Sequence, residues 1–317
     1  MIKKTILSAA LLGAAMALSG GASAAFPEKK ITFIIPYGPG GGFDTYVRKI
    51  APMMEKYLPH KVDVIPKNVD GAGGRKALSD LWRAKPNGYT IAIFNMPGML
   101  LDKIIGKKTR YEIDKFTWLT RLAITPYTLA VNSTGPYSTL DALKNAKGLK
   151  YPVTSPASTA AVAGKIMANA IGLDVKLLPG YKGSSKTSLS IIRGDTHLSL
   201  FANRQYAKYA KSGDLKAVLS FEKKSPWPGV PTVADIGHPE LAVLATERII
   251  GTAPGTPKAI AKILEEALIK GANDPSVQAW AKKGKRALNP TTAAETAQRV
   301  DELISFYSKF KSILASK

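Results

Sequence analysis

Apolar and polar positions switch between two periods along this chain. Nearly continuous apolar runs of strand length occur at 31–35, 62–65 and 89–94. Between the first two, Val47, Ile50, Met54 and Tyr57 recur at helical spacing, which predicts a helix over 44–57; 75–84 reads as another. The β–α–β–α–β order predicts a parallel sheet with helices on both faces. The rhythm resumes in the second half, with strands at 127–131, 151–154, 175–178, 197–201 and 215–219. Helices are expected at 139–146, at 158–171 and between the later strands. Thr256 as N-cap with Pro257 at the first helical position opens a further helix, whose apolar face is Ile260, Ile263, Leu264, Ala267 and Leu268. Thr292-x-x-Glu295 reads as a capping box ahead of a last helix that buries Val300, Leu303, Ile304, Tyr307 and Phe310. No fixed-period repeat or low-complexity linker occurs, so two domains are expected to share an interface. The Pro- and Gly-rich stretch 225–231 marks an irregular loop.

The N-terminus departs from this pattern. Lys3 and Lys4 precede an apolar run over 5–18, and Ala22-Ser23-Ala24 ends it with an Ala-x-Ala site. These are the parts of a secretory signal peptide over 1–24, with cleavage expected after Ala24. The run is shorter than the roughly 20 residues a bilayer crossing needs. No Cys follows it, which excludes a lipoprotein anchor.

Composition narrows the chemistry. The 317 residues contain no Cys, which removes disulfides, thiol nucleophiles, zinc–thiolate sites and iron–sulfur clusters. With only His60, His197 and His238, a histidine-based zinc site is not expected, nor any cofactor. The formal net charge is +22, yet Lys and Arg are scattered without a long basic run, so no nucleic-acid partner is expected. The charge serves solubility or long-range attraction of small anions.

The segment Ile34-Ile-Pro-Tyr-Gly-Pro-Gly-Gly-Gly-Phe-Asp44 joins a buried strand to a helix through four glycines. Glycine lets backbone approach a ligand closely, and the first amides of a helix lack internal partners. Together they form an anion cradle or simply a tight turn. No Lys-Ser/Thr follows, so this is not a P-loop, and Phe43 stands where a dinucleotide fingerprint has its third Gly. Asp44 is expected as the helix N-cap. A second strand–turn–helix, Tyr151-Pro-Val-Thr-Ser-Pro-Ala-Ser-Thr-Ala160, places Ser155, Ser158 and Thr159 before a helix. Ser158 reads as a cap or as part of a second cradle facing the first across a cleft. Enzyme signatures are weak: there is no G-x-S-x-G elbow, and Ser220-x-x-Lys223 and Ser308-x-x-Lys311 lack the companion motifs of serine acyl-transfer enzymes.

Five segments in order resemble a known family. They are Pro36-Tyr-Gly-Pro-Gly-Gly-Gly-Phe-Asp44-Thr-Tyr-Val-Arg48, Asn68-Val-Asp-Gly-Ala-Gly-Gly74, Lys85-Pro-Asn-Gly-Tyr-Thr90, Pro228-Gly-Val-Pro-Thr-Val-Ala-Asp-Ile-Gly237 and Ala253-Pro-Gly-Thr-Pro257. The chain resembles the extracytoplasmic solute receptors of tripartite tricarboxylate transporters, the Bug (TctC-like) family. The resemblance implies an α/β, two-domain periplasmic binding fold of the type II, Venus flytrap kind, with parallel or mixed sheets flanked by helices. It implies domain 1 over 25–124 plus 250–317 and domain 2 over 125–249. It further implies a monomeric periplasmic receptor, not an enzyme, that captures a small carboxylate (a di- or tricarboxylate or an aromatic acid) between its domains for the transporter's membrane subunits. The residues it points to are Tyr37, Gly40, Gly41, Gly42, Phe43, Asp44, Asn95, Ser155, Ser158, Tyr181 and Asn203. The second loop departs from the family's S-A-G-x-G-S-x-x-H: Ser158 is retained, but Ser155 and Ala157 stand at the glycine positions and the histidine is gone. Ala202 precedes Asn203 where many members have Asp. The alternatives are a ligand-sensing partner of a membrane sensor kinase and a secreted hydrolase.

Overall fold

The computed structural model describes residues 26–316; the leader expected over 1–24 lies outside them. Strand β1 (Ile31–Ile35) pairs parallel with β2 (Val64–Asn68) and with β3 (Thr90–Met96). A long strand, β4 (Thr117–Asn132), runs through both halves of the molecule. Its first half pairs antiparallel with β9 (Ala245–Thr252), which in turn pairs antiparallel with β3. Its second half lies between β7 (Leu198–Ala202) and β8 (Leu215–Ser220), antiparallel to both. Strands β5 (Leu149–Pro152) and β6 (Val175–Leu178) form a separate parallel pair. The sheet is therefore mixed, not the purely parallel one that the β–α rhythm suggests, because β9 inserts antiparallel between β3 and β4, and β4 runs on to β7 and β8 without an intervening helix. The expected boundaries after 124 and 249 fall inside β4 and β9.

Alternation along β1 feeds two cores. Ile31, Phe33 and Ile35 pack under α1 (Gly42–Tyr57), through Val47, Ile50 and Met54, and under Leu264 and Leu268 of α8 (Lys258–Asn273). Ile34 faces the opposite way, into a second core that holds Leu78 and Leu81 of α2 (Arg75–Trp82) and extends to Leu303 and Tyr307 of α10 (Ala293–Ser308). That second core continues into the other lobe, where Tyr127, Leu129 and Val131 of β4 meet Ala161, Val162 and Ile166 of α5 (Thr159–Ile171). A smaller core joins Ala130 and Phe201 to Ile191 of α6 (Ser184–Ile192) and Tyr206 of α7 (Asn203–Ala210). Short helices α3 (Leu101–Ile104), α4 (Leu140–Asn145), α9 (Pro275–Lys283) and α11 (Lys311–Ala315) complete the described chain.

Local signals mostly set the helix ends. The Thr292–Glu295 capping box forms in both directions. At α8, however, Pro257 is itself the N-cap, and the Thr256 hydroxyl donates to Ala253 O instead (2.8 Å). Strand β2 sits two residues later than its apolar run suggests. It is an edge strand, and Pro66, which cannot donate, is tolerated there.

Candidate functional site

The carboxyl ends of β1, β3, β7 and β8 and the start of β9 converge where β4 passes between the lobes. Two helix N-termini meet at this junction, one from each lobe.

On the first lobe the glycine turn leads into α1. Gly40 has φ +80°, a region open at little cost only to glycine, and Gly40, Gly41 and Gly42 are exposed. The helix begins at Gly42, with Gly41 as its N-cap and no side chain capping its first amides. Asp44 is therefore not the N-cap. It sits in the first turn and reaches back to the Gly40 amide (2.9 Å), while its other oxygen accepts from Asn68 Nδ2 and Arg48 Nε (2.9 Å each). Asn68 Nδ2 also donates to Tyr37 O (2.8 Å), so one buried carboxylate ties the whole turn together. Burial pushes the Asp44 carboxyl up, but the bonds from Gly40, Asn68 and Arg48 outweigh it and hold the pKa below its ordinary 3.8.

That sign makes a prediction. A carboxyl depressed in the folded state contributes stability above its unfolded pKa and loses it as pH falls through the folded value. Asp44→Asn is expected to cost about 1–3 kcal/mol at pH 7. The gap from wild type should close as pH falls below the ordinary 3.8 and through the lower folded value. Urea unfolding at three pH values checks this; a gap that persists in acid would mean the Asp44 charge contributes nothing.

On the second lobe Ser158 caps α5, accepting from Ala161 N (3.3 Å). The next residue reaches across: Thr159 Oγ1 donates to Asn95 Oδ1 (2.7 Å) and accepts from Gly98 N (3.2 Å). Asn95 Nδ2 in turn donates to Tyr37 Oη (2.7 Å), and the Tyr37 ring leans on Phe43 at 5.2 Å. Thus Tyr37, Phe43 and Asn95 come together with the helix that Ser158 caps, and the expected cleft is shut along this line. Tyr37 keeps a partly exposed ring, while enclosure of its hydroxyl pushes the phenol up to about 12; the Asn95 bond and the Arg248 charge pull the other way. The Ser155 hydroxyl is buried without a partner, 3.5 Å from where a Cβ on Gly73 would stand.

The remaining two expected residues lie outside this chain of bonds. The Tyr181 amide donates to Val153 O, beside the second loop. Asn203, first residue of α7, accepts from Thr128 Oγ1 (2.7 Å) and donates to the Glu222 carboxylate. Trp227 Nε1 donates to the same Thr128 oxygen (2.7 Å). A cavity of about 200 Å³ bounded by Asn132, Tyr137, Thr196 and His197 lies at the other end of β4.

Sequence reasoning missed Arg248. It lies on β9 opposite Asn95, 8% exposed, with Cζ 4.9 Å from the Phe43 ring and 4.6 Å from the Tyr46 ring. Nη1 donates to Thr125 Oγ1 (2.9 Å). Desolvation pulls its pKa below the ordinary arginine value, and the opposing contributions come from Tyr46, Tyr127 and Tyr37, with no carboxylate among them. A charge pair, Glu247-Arg248, interrupting an apolar stretch was the signal available in the sequence.

Among the described residues no group of three or more His, Asp or Glu could hold a metal ion, and no helix is long and apolar enough to cross a membrane. The Ser158 hydroxyl serves as a cap, and His197 Nδ1 accepts from Lys150 N (3.1 Å).

The family described as tripartite tricarboxylate transporter family receptor matches residues 46–310. The chain belongs to this family. The match opens at Tyr46 in α1, so the glycine turn lies just ahead of it. This receptor is similar to a UPF0065 protein of Bordetella pertussis, 25% identical over 284 residues, 87% of each chain. In three dimensions it is similar to the periplasmic binding protein BugD (TM-score 0.77, 22% identity, 91% of this chain and 98% of that one). It is equally similar to MatC from Rhodopseudomonas palustris with bound malate (TM-score 0.77, 22% identity, 91% and 100%). The receptor therefore has the two-lobed periplasmic binding fold, and it is a binding protein rather than an enzyme.

Proposed function

We propose that this receptor is exported to the periplasm, captures a small carboxylate between its lobes as a monomer, and delivers it to the membrane subunits of a tripartite tricarboxylate-type transporter. The lobes are 25–124 with 250–317, and 125–249, hinged where β4 and β9 cross. One observation carries the reading. The uncapped N-terminus of α1 and the N-terminus of α5 face one junction and are joined through Tyr37, Asn95 and Thr159. Helix N-termini favour negative charge through free amides and the helix dipole. Two of them from separate lobes let one anion hold both, so closure and capture become the same event. Gly40, Gly41, Gly42, Ser155 and Ser158 supply the approach from either side, and Tyr181 and Asn203 form the outer wall. Malate in the similarly folded MatC supports a small carboxylate as the guest.

A thermal-shift screen tests this. An acid that binds is expected to stabilise the receptor by about 2.7 kcal/mol at 100 times its Kd, while its amide analogue is inert. No response to a broad panel of mono-, di- and tricarboxylates, or equal response to the amides, would overturn the reading.

A further inference from the structure

The arginines of this molecule show how it grips carboxylates. Arg75 uses its Nε/Nη2 edge on Asp102, with Nη2 to Oδ1 at 2.7 Å. Arg299 uses the same edge on Glu247, with Nε and Nη2 to Oε1 at 3.0 and 2.6 Å. The planar fork matches the two carboxylate oxygens. Both acids are buried, at 3% and 0% exposure.

Arg248 is buried too, at 8% exposure, but no carboxylate of the described residues meets that edge. Its Nε is enclosed without a partner, and its one hydrogen bond, to Thr125, leaves from Nη1. Nη2 lies 3.5 Å from where a Cβ on Gly42 would stand, against the first residue of α1. The guanidinium is held by the Phe43 and Tyr46 rings on the helix side. Asn95, its cross-strand neighbour, is the residue that links to Thr159 of the other lobe. A buried charge is ordinarily paired. Here the fork, the free helix amides and the bare Gly42 surround one point.

We propose that Arg248 is the receptor's direct anion anchor: its Nε/Nη2 edge takes a carboxylate of the ligand in the bidentate manner of Arg75 and Arg299, beside the amides of α1. The proposal rests on the carboxylate-receptor reading and adds the residue that selects for it. It makes a planar oxyanion obligatory, and it limits what can stand at Gly42: a Cβ there would only touch Nη2, at 3.5 Å, but a longer side chain would reach into the space the ligand carboxylate needs.

The test is calorimetric titration of the full mature receptor with acetate, malate, adipate, citrate and benzoate, on wild type, Arg248→Gln, Arg248→Lys and Gly42→Asp. Wild type binds at least one acid. Arg248→Gln weakens it about 100-fold, the range for truncating one partner of a buried charge pair. Arg248→Lys, which keeps the charge without the fork, falls in between. Gly42→Asp places a tethered carboxylate at Nη2 and abolishes the response while Arg248 is intact. Urea unfolding confirms that each variant is folded; Gly42→Asp guards against an Arg248→Gln that is not. If wild type binds an acid and Arg248→Gln or a folded Gly42→Asp binds it equally well, the anchor is refuted and the receptor reading stands. If wild type binds none of the acids, both fall.

Discussion

Glu247→Ala is expected to destabilise the receptor by about 3–5 kcal/mol, the cost of leaving a buried charge without its partner. Glu247 is fully buried on β9 and accepts from Nε and Nη2 of Arg299, on α10, whose side chain is only 20% exposed. Glu302 at 3.2 Å is half-exposed and cannot replace the lost partner. The pair fastens a helix from the end of the chain to the strand that crosses the lobes. Replacing both partners with leucine should cost far less than the single change, because no orphan charge remains. Urea midpoints at unchanged slope read the difference. A Glu247→Ala loss below about 1 kcal/mol would mean that water reaches Arg299 freely.

Gly98→Ala is expected to hold the lobes apart. A Cβ at Gly98 would stand 2.8 Å from Thr159 N, 2.9 Å from Ala157 O and 2.7 Å from Thr159 Oγ1. Two of these are backbone atoms at the start of α5, which cannot swing aside as a side chain tip could. Either α5 retreats, lengthening the Thr159–Asn95 bond, or the loop after β3 distorts. Overpacking of this kind costs about 1–3 kcal/mol. Under the proposed capture by closure, affinity should fall by the fraction of molecules that can still close. Small-angle scattering should show a larger radius of gyration than wild type, and ligand should restore it incompletely. Scattering and affinity identical to wild type would show that this contact does not govern closure.

The buried charges of β9 were hidden in the sequence for one physical reason. Short-range signals read well: Ser158 capping α5 and the Thr292–Glu295 box. These depend on turn chemistry or on motifs a few residues long. Strand β9 and the first half of β4 did not read, because Thr246-Glu247-Arg248 and Pro126 break their apolar runs. Their polarity is explained only by residues far along the chain, Arg299 for Glu247 and the α1 rings for Arg248. Asp44 was legible as a capping-type residue, but its role as a clamp on Gly40 and Asn68 depends on β2 lying beside β1. The burial of a charge is a property of the assembled sheet, so local pattern does not announce it.

Amides from two lobes are proposed to hold one anion, and hydrogen–deuterium exchange reads those amides directly. With a saturating carboxylate, slowed exchange is expected together in 40–45 at the start of α1 and in 159–163 at the start of α5. Slowing in only one of these segments, or in neither while the acid is demonstrably bound, would contradict the account.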